Sequence, residues 1–114
     1  MSTDIDTPHW TAVCTVDDIL PNTGVCARVG AHHVAIFRVG EAQYFAIDNV
    51  DPKSRASVNS RGLVGNLADR TVVASPLYKH HFDLRSGECL EAPEYSVRAY
   101  PVRLDGERVL VSAP

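Results

Sequence analysis

An all-β fold follows from three features of the 114-residue chain. Short runs rich in β-branched and aromatic residues recur along its length. Gly, Pro, Asn or Asp stands between them, and the only helical signal is one turn long. Many short strands with closely spaced turn signals indicate an antiparallel β-sandwich or small barrel.

The strands are read in order. "WTAVCTV" (10–16), "GVCARV" (24–29), "HVAIFRV" (33–39) and "QYFAIDN" (43–49) are each bounded by turn residues. "TVVASP" and "KHHFDL" follow, parted by Pro76, which has no N–H for a sheet ladder and marks a loop or an edge. "VRAYPVRLDGERVLVSA" is two alternating runs joined by Asp105-Gly106, the pair favoured in a type I′ hairpin. The helical signal is "TVDDILP", where Thr15 and Asp18 can form a capping box before Pro21 ends the turn. Residues 1–9 read as a flexible tail and 10–114 as one domain, long enough to bury a core without metal or disulfide staples.

Composition removes several functions. A net charge of −3, with scattered Lys and Arg apart from a loose group at Lys53, Arg55 and Arg61, does not suit nucleic acid. The acidic start "MSTDIDTPHW" is not a secretory signal, and no apolar run approaches a membrane span. Cys14, Cys26 and Cys89 are far apart and odd in number, which suits buried thiols in a reducing cytoplasm rather than a zinc ribbon or redox dithiol.

Two loops stand out, one within 48–66 around Asp51-Pro52-Lys53 and one at Ser75-Pro76-Leu77-Tyr78. The adjacent His80 and His81 invite a metal, but neighbours on a strand point to opposite faces and cannot share an ion. The same holds for His32 and His33. Ser75 precedes a Pro instead of standing in a G-x-S-x-G elbow, and the chain has no Gly-rich phosphate loop. No self-sufficient catalytic site is expected.

Side by side, the loops read D-P-K at 51–53 and S-P-L-Y at 75–78, with H-H-F-D-L and Ser86-Gly87 beyond. This framework resembles the Rieske iron-sulphur domain, where Cys-Pro-His and Cys-Pro-x-His bind a two-iron cluster. The resemblance covers nearly the whole chain and implies a Rieske-like β-sandwich with two loops at the cluster site. In this sequence every ligand position is changed. Asp51 and Ser75 stand for the cysteines, Lys53 and Tyr78 for the histidines. The cluster needs two thiolates on one iron and two imidazoles on the other, so none is expected to be bound. In its place Asp51, Ser75 and Tyr78 are expected to bond across the loops, over packing by Leu77 and Phe82.

A narrower resemblance rests on "DDILPNTGVCARVGAHHVAIFR", "AIDNVDPKSRASVNSRGLVGN" and "VASPLYKHHFDLRSGECLE". These segments resemble the small subunit of bacterial NAD(P)H-dependent assimilatory nitrite reductase, which lacks the cluster ligands in the same way. Asp51-Pro52, Ser60-Arg61-Gly62 and Ser75-Pro76-Leu77-Tyr78-Lys79 carry the match. The resemblance implies a cytoplasmic, non-catalytic subunit with no cofactor of its own. Its partner would be a large subunit with FAD, a four-iron cluster and sirohaem that reduces nitrite to ammonium with NAD(P)H. Lys53, Leu77, Tyr78 and Lys79 are the candidate partner contacts. The alternative is a cluster-less Rieske-like module for another oxidoreductase.

Overall fold

Val34-Ala35-Ile36-Phe37 is apolar at every position, and the structure explains why: this strand is buried on both faces. The computed structural model describes residues 10–77 and 80–113. The tail assigned to residues 1–9 lies outside them.

The described residues form three antiparallel sheets. In the central sheet, β2 (Thr23–Val29), β3 (His32–Val39), β4 (Gln43–Asp48) and β8 (Ala99–Tyr100) are hydrogen-bonded in that order. A second sheet has the order β1 (Trp10–Thr15), β10 (Arg108–Ser112), β9 (Val102–Asp105). The third joins β5 (Leu63–Leu67), β6 (Arg70–Ala74) and β7 (His81–Asp83).

Side chains on a strand alternate between faces, and this divides the core in two. Val34, Ile36 and Ala46 pack with Ile19, Val29, Tyr100, Val109 and Val111, against the sheet that holds β10. Ala35, Phe37 and Ile47 pack with Val73, Phe82, Leu84 and Cys89, against the β5–β6–β7 sheet. Removing a side chain such as Phe37 or Phe82 from water contributes about 1.5–3 kcal/mol. Both are fully buried in the second cluster, whereas the first is aliphatic apart from Tyr100.

The helical signal is one 3₁₀ turn, Val16–Asp18, as expected. The Asp18 carboxylate accepts the Thr15 backbone N–H at 2.8 Å and its hydroxyl at 3.1 Å. Beyond the turn, Ile19 drops into the core and Arg38 donates to its carbonyl at 2.9 Å. Among the described residues no helix is long and apolar enough to cross a membrane.

Three local expectations need correction. The irregular stretch 48–66 ends inside β5. This strand turns Leu63 and Leu67 outward, both exposed, and so lacks the usual apolar alternation. It joins β6 through Ala68-Asp69, both at positive φ (47° and 71°), the geometry of a type I′ turn without its glycine. The β9–β10 hairpin, in contrast, is not type I′. Asp105 pairs with Arg108, and only Gly106 of the two turn residues has positive φ (63°), as in a type II′ turn. Lastly, the thiols are not uniformly buried: Cys89 is, Cys14 is half-buried and Cys26 is exposed.

The two loops at the end of the scaffold

The first loop is built on two buried asparagines. Asn49 accepts the Ser60 N–H through its side-chain carbonyl at 2.7 Å and donates to the Ser57 hydroxyl at 2.7 Å. Its backbone carbonyl takes the N–H groups of Val58 and Asn59, each at 3.0 Å. Asn59 in turn donates to the Asp48 carbonyl at 3.0 Å. Backbone polar groups in a buried loop need partners of this kind. Sequence reasoning passed over both residues, although Asn is the side chain best able to mimic a backbone amide.

Asp51 begins the tip. Its N–H donates to the Ala56 carbonyl at 2.7 Å, and its own carbonyl accepts from Arg55 N–H at 2.6 Å. The carboxylate takes the Ser54 N–H at 2.8 Å and stays buried, with its other oxygen unbonded among the described residues. Lys53 and Arg55 are exposed at the tip, Arg55 with φ of 65°.

Ser75 N–H donates to the His80 carbonyl at 2.7 Å and so closes the second loop. Its buried hydroxyl accepts a long bond from Leu77 N–H at 3.4 Å. Leu77 is 48% exposed and Phe82 is fully buried in the core beneath. Tyr78 and Lys79 lie outside the described residues.

Among the described residues, then, Asp51 and Ser75 bond within their own loops, and the part expected of Tyr78 lies outside those residues. Asp51 caps its own turn and Ser75 its own, because each has an N–H two or three residues on that it can reach without crossing space. Of the packing expected under the loops, Leu77 gives only a part, since that side chain is half in solvent. Phe82 does supply it.

The paired histidines diverge, as strand geometry requires. His81 receives Glu91 on two sides, the carboxylate accepting the His81 N–H at 2.8 Å and lying 2.5 Å from ring Nδ1. Burial alone would raise the Glu91 acid, but these hydrogen bonds outweigh it and hold the carboxyl below its usual range. The His80 ring instead stacks on Tyr95, centroids 5.9 Å apart. His32 meets the Tyr100 ring edge to face, and the Tyr100 hydroxyl bonds to Asp48.

A cleft of about 390 Å³ opens beside the second loop, lined by Arg61, Gly62, Leu63, Ala74, Ser75, Pro76 and His81. Leu63, Ala74 and His81 are cross-strand partners in one row, so the floor is the outer face of the β5–β6–β7 sheet. The walls are Arg61-Gly62 on one side and Ser75-Pro76 on the other. Gly62 is required here. A Cβ on it would lie 2.4 Å from the Ala74 carbonyl oxygen, so only Gly lets the first loop rest directly on β6. Arg61 was marked only by its motif, and Ala74 carried no functional signal by itself. What the sequence lacked was the pairing that puts a small residue between Leu63 and His81.

These residues do not suit a two-iron cluster. Asp51, Lys53 and Ser75 offer a carboxylate, an ammonium and a hydroxyl, and the carboxylate is turned into its own loop. Among the described residues no three of His, Cys, Asp and Glu are grouped to hold a metal. The buried Cys89 thiol belongs to the core under the loops, and burial pushes its pKa up, away from the thiolate a metal takes.

Comparison with known proteins decides the family. A model of the Rieske-like [2Fe-2S] domain matches residues 9–112. The Salmonella typhimurium nitrite reductase (NADH) small subunit is 49% identical over 97 residues, which cover 84% of this chain and 90% of that one. The chain belongs to the nitrite reductase small-subunit family of Rieske-like domains. Among solved structures in this family, that of a Mycobacterium tuberculosis small subunit superposes with a TM-score of 0.90 at 39% identity, covering 96% of this chain and 98% of that one. The nitrite reductase large subunit of Klebsiella oxytoca is also similar, 42% identical over 102 residues that make up 90% of this chain and 11% of that protein. In that organism a domain of this family lies within the large-subunit polypeptide.

Proposed function

We infer that this chain is the small subunit of an NAD(P)H-dependent nitrite reductase and acts by binding the large subunit. The observation that carries this is its near-half identity to nitrite reductase small subunits across nine-tenths of their length. The Klebsiella oxytoca relative supports the pairing, since there the two parts share one polypeptide. A cluster-less module for another oxidoreductase has less support, because the ferredoxin relatives stand lower, at 29% for a biphenyl dioxygenase ferredoxin subunit.

The chain works in the cytoplasm, in nitrate assimilation, and holds no redox centre. The chemistry belongs to the large subunit, which by resemblance carries FAD, a four-iron cluster and sirohaem. The loop end makes the contact, through Lys53, Leu77, Tyr78 and Lys79. What supports this is loop chemistry: cations and apolar groups on a rigid β scaffold, with rim charge to steer approach and apolar anchors to hold. The test is titration of purified large subunit with this chain by calorimetry. Saturable binding is the expected result, and its absence at high micromolar concentration would refute the pairing.

A further inference from the structure

We propose that the cleft over Leu63, Ala74 and His81 is a socket for the large subunit, receiving an apolar side chain flanked by a carboxylate. The proposal rests on the small-subunit reading and places the contact on the outer sheet face as well as at the loop tips.

Three features fit that occupant. Part of the lining is apolar: Ala74, Pro76 and the unusually exposed Leu63 (78%) border a cleft of about 390 Å³, room for a large side chain. Gly65, next to Leu63 on the outward face, has open space where its Cβ would point, so the approach is clear. Exposed apolar groups gathered around a concavity mark contact surfaces more often than scattered ones do.

The charge near the cleft supplies the second half of the match. The net charge of the chain is −3, yet residues 51–66 carry Lys53, Arg55 and Arg61 against one acid, Asp51. That acid is buried. Arg61 lines the cleft, is exposed, and makes no ion pair among the described residues. Glu91, which contacts His81 of the floor, is already bonded to it. An exposed arginine at the cleft wall favours a partner with a carboxylate facing it, because charge complementarity selects the partner and its register. Edge strand β5 borders the same face, so the bound segment would also cover a sheet edge that no described strand pairs with.

The test uses the whole chain and the whole large subunit, with affinity read by calorimetry at several salt concentrations. Ala74→Leu fills the socket from its floor, and Arg61→Glu reverses its rim. Each is expected to weaken binding at least tenfold, and Arg61→Glu to flatten the salt dependence, with melting temperatures within a few degrees of the parent. Leu104→Ala, on the exposed face of another sheet, is the control and should bind as the parent does. If the parent binds and both cleft variants bind equally well, the socket is overturned while the small-subunit pairing stands. If the parent does not bind, the pairing itself fails and the socket with it. Should Ala74→Leu fold poorly, Arg61→Glu alone decides, since its side chain is in solvent. A parent chain that sediments as a dimer, dissociated by either variant, would overturn the proposal by assigning the face to a second copy.

Discussion

The side-chain carbonyl of Asn49 accepts the backbone N–H of Ser60 at 2.7 Å, joining the two ends of the first loop. With its bond to Ser57, this makes Asn49 the buried clamp of the loop. Leaving buried groups unsatisfied costs about 1–3 kcal/mol each. Asn49→Ala is expected to lower stability by about 2–4 kcal/mol in urea denaturation. A loss below about 0.5 kcal/mol would show that the loop is held by something else.

Two glycines near the cleft should respond oppositely. Gly62→Ala places a methyl 2.4 Å from the Ala74 carbonyl and 2.6 Å from Val73 Cγ2, an overlap that backbone must move to relieve. Forced overpacking of this kind costs about 1–3 kcal/mol. Gly65→Ala meets nothing within 4 Å and sheds unfolded-state entropy, so it is expected to be neutral or to stabilise by up to about 1 kcal/mol. Equal effects on thermal unfolding would contradict the packing of the first loop on β6.

Tyr100 gives a pH signature. Burial, then the hydrogen bond and charge of Asp48, push its phenol well above the ordinary value near 10. A folded-state value raised above the unfolded one means stability that is complete below about pH 10 and lost as pH rises beyond it. Absorbance at 295 nm should therefore show one tyrosine that ionises only with alkaline unfolding. Tyr100→Phe should remove that late step, and a titration unchanged by the substitution would contradict the assignment.

The Glu91–His81 contact acts at the other end of the scale. Glu91 is depressed in the folded state, so its contribution is present above the unfolded carboxyl value near 4.3 and is lost as pH falls through the lower folded one. Both groups are partly exposed, which limits the effect to below about 1 kcal/mol. Glu91→Gln should lower stability slightly at pH 7 and leave it unchanged near pH 2. A larger loss at pH 2 than at pH 7 would reverse the sign of this account.

The sequence made much of this fold legible, for reasons that differ by element. β3 was readable because Val34–Phe37 is apolar on both faces and so stands out by any measure. The turn at Thr15–Asp18 was readable because its capping chemistry is local. β5 was hidden because its leucines face outward and its turn puts Ala68 and Asp69 where Asn-Gly would normally signal a hairpin. The candidate site divides in the same way. Motif spacing located both loops. The bonding inside each loop, and the cleft made by Ala74 between Leu63 and His81, depend on strand register, which no local signal carries.

Iron binding gives a further check. The loop chemistry predicts that anaerobic treatment with iron and sulphide, followed by desalting, leaves less than about 0.1 iron per chain and no visible cluster absorption, since two thiolates and two imidazoles are needed. Stoichiometric iron would require ligands from outside the replaced positions.

The most direct measurement of the central account is nitrite-dependent NAD(P)H oxidation across a gel-filtration profile of this chain, the large subunit and their mixture. The account predicts no turnover by the metal-checked chain alone, and turnover in the mixture at the position where both polypeptides elute together. Turnover by the isolated chain, or an active large subunit that never co-elutes with it, would contradict the account.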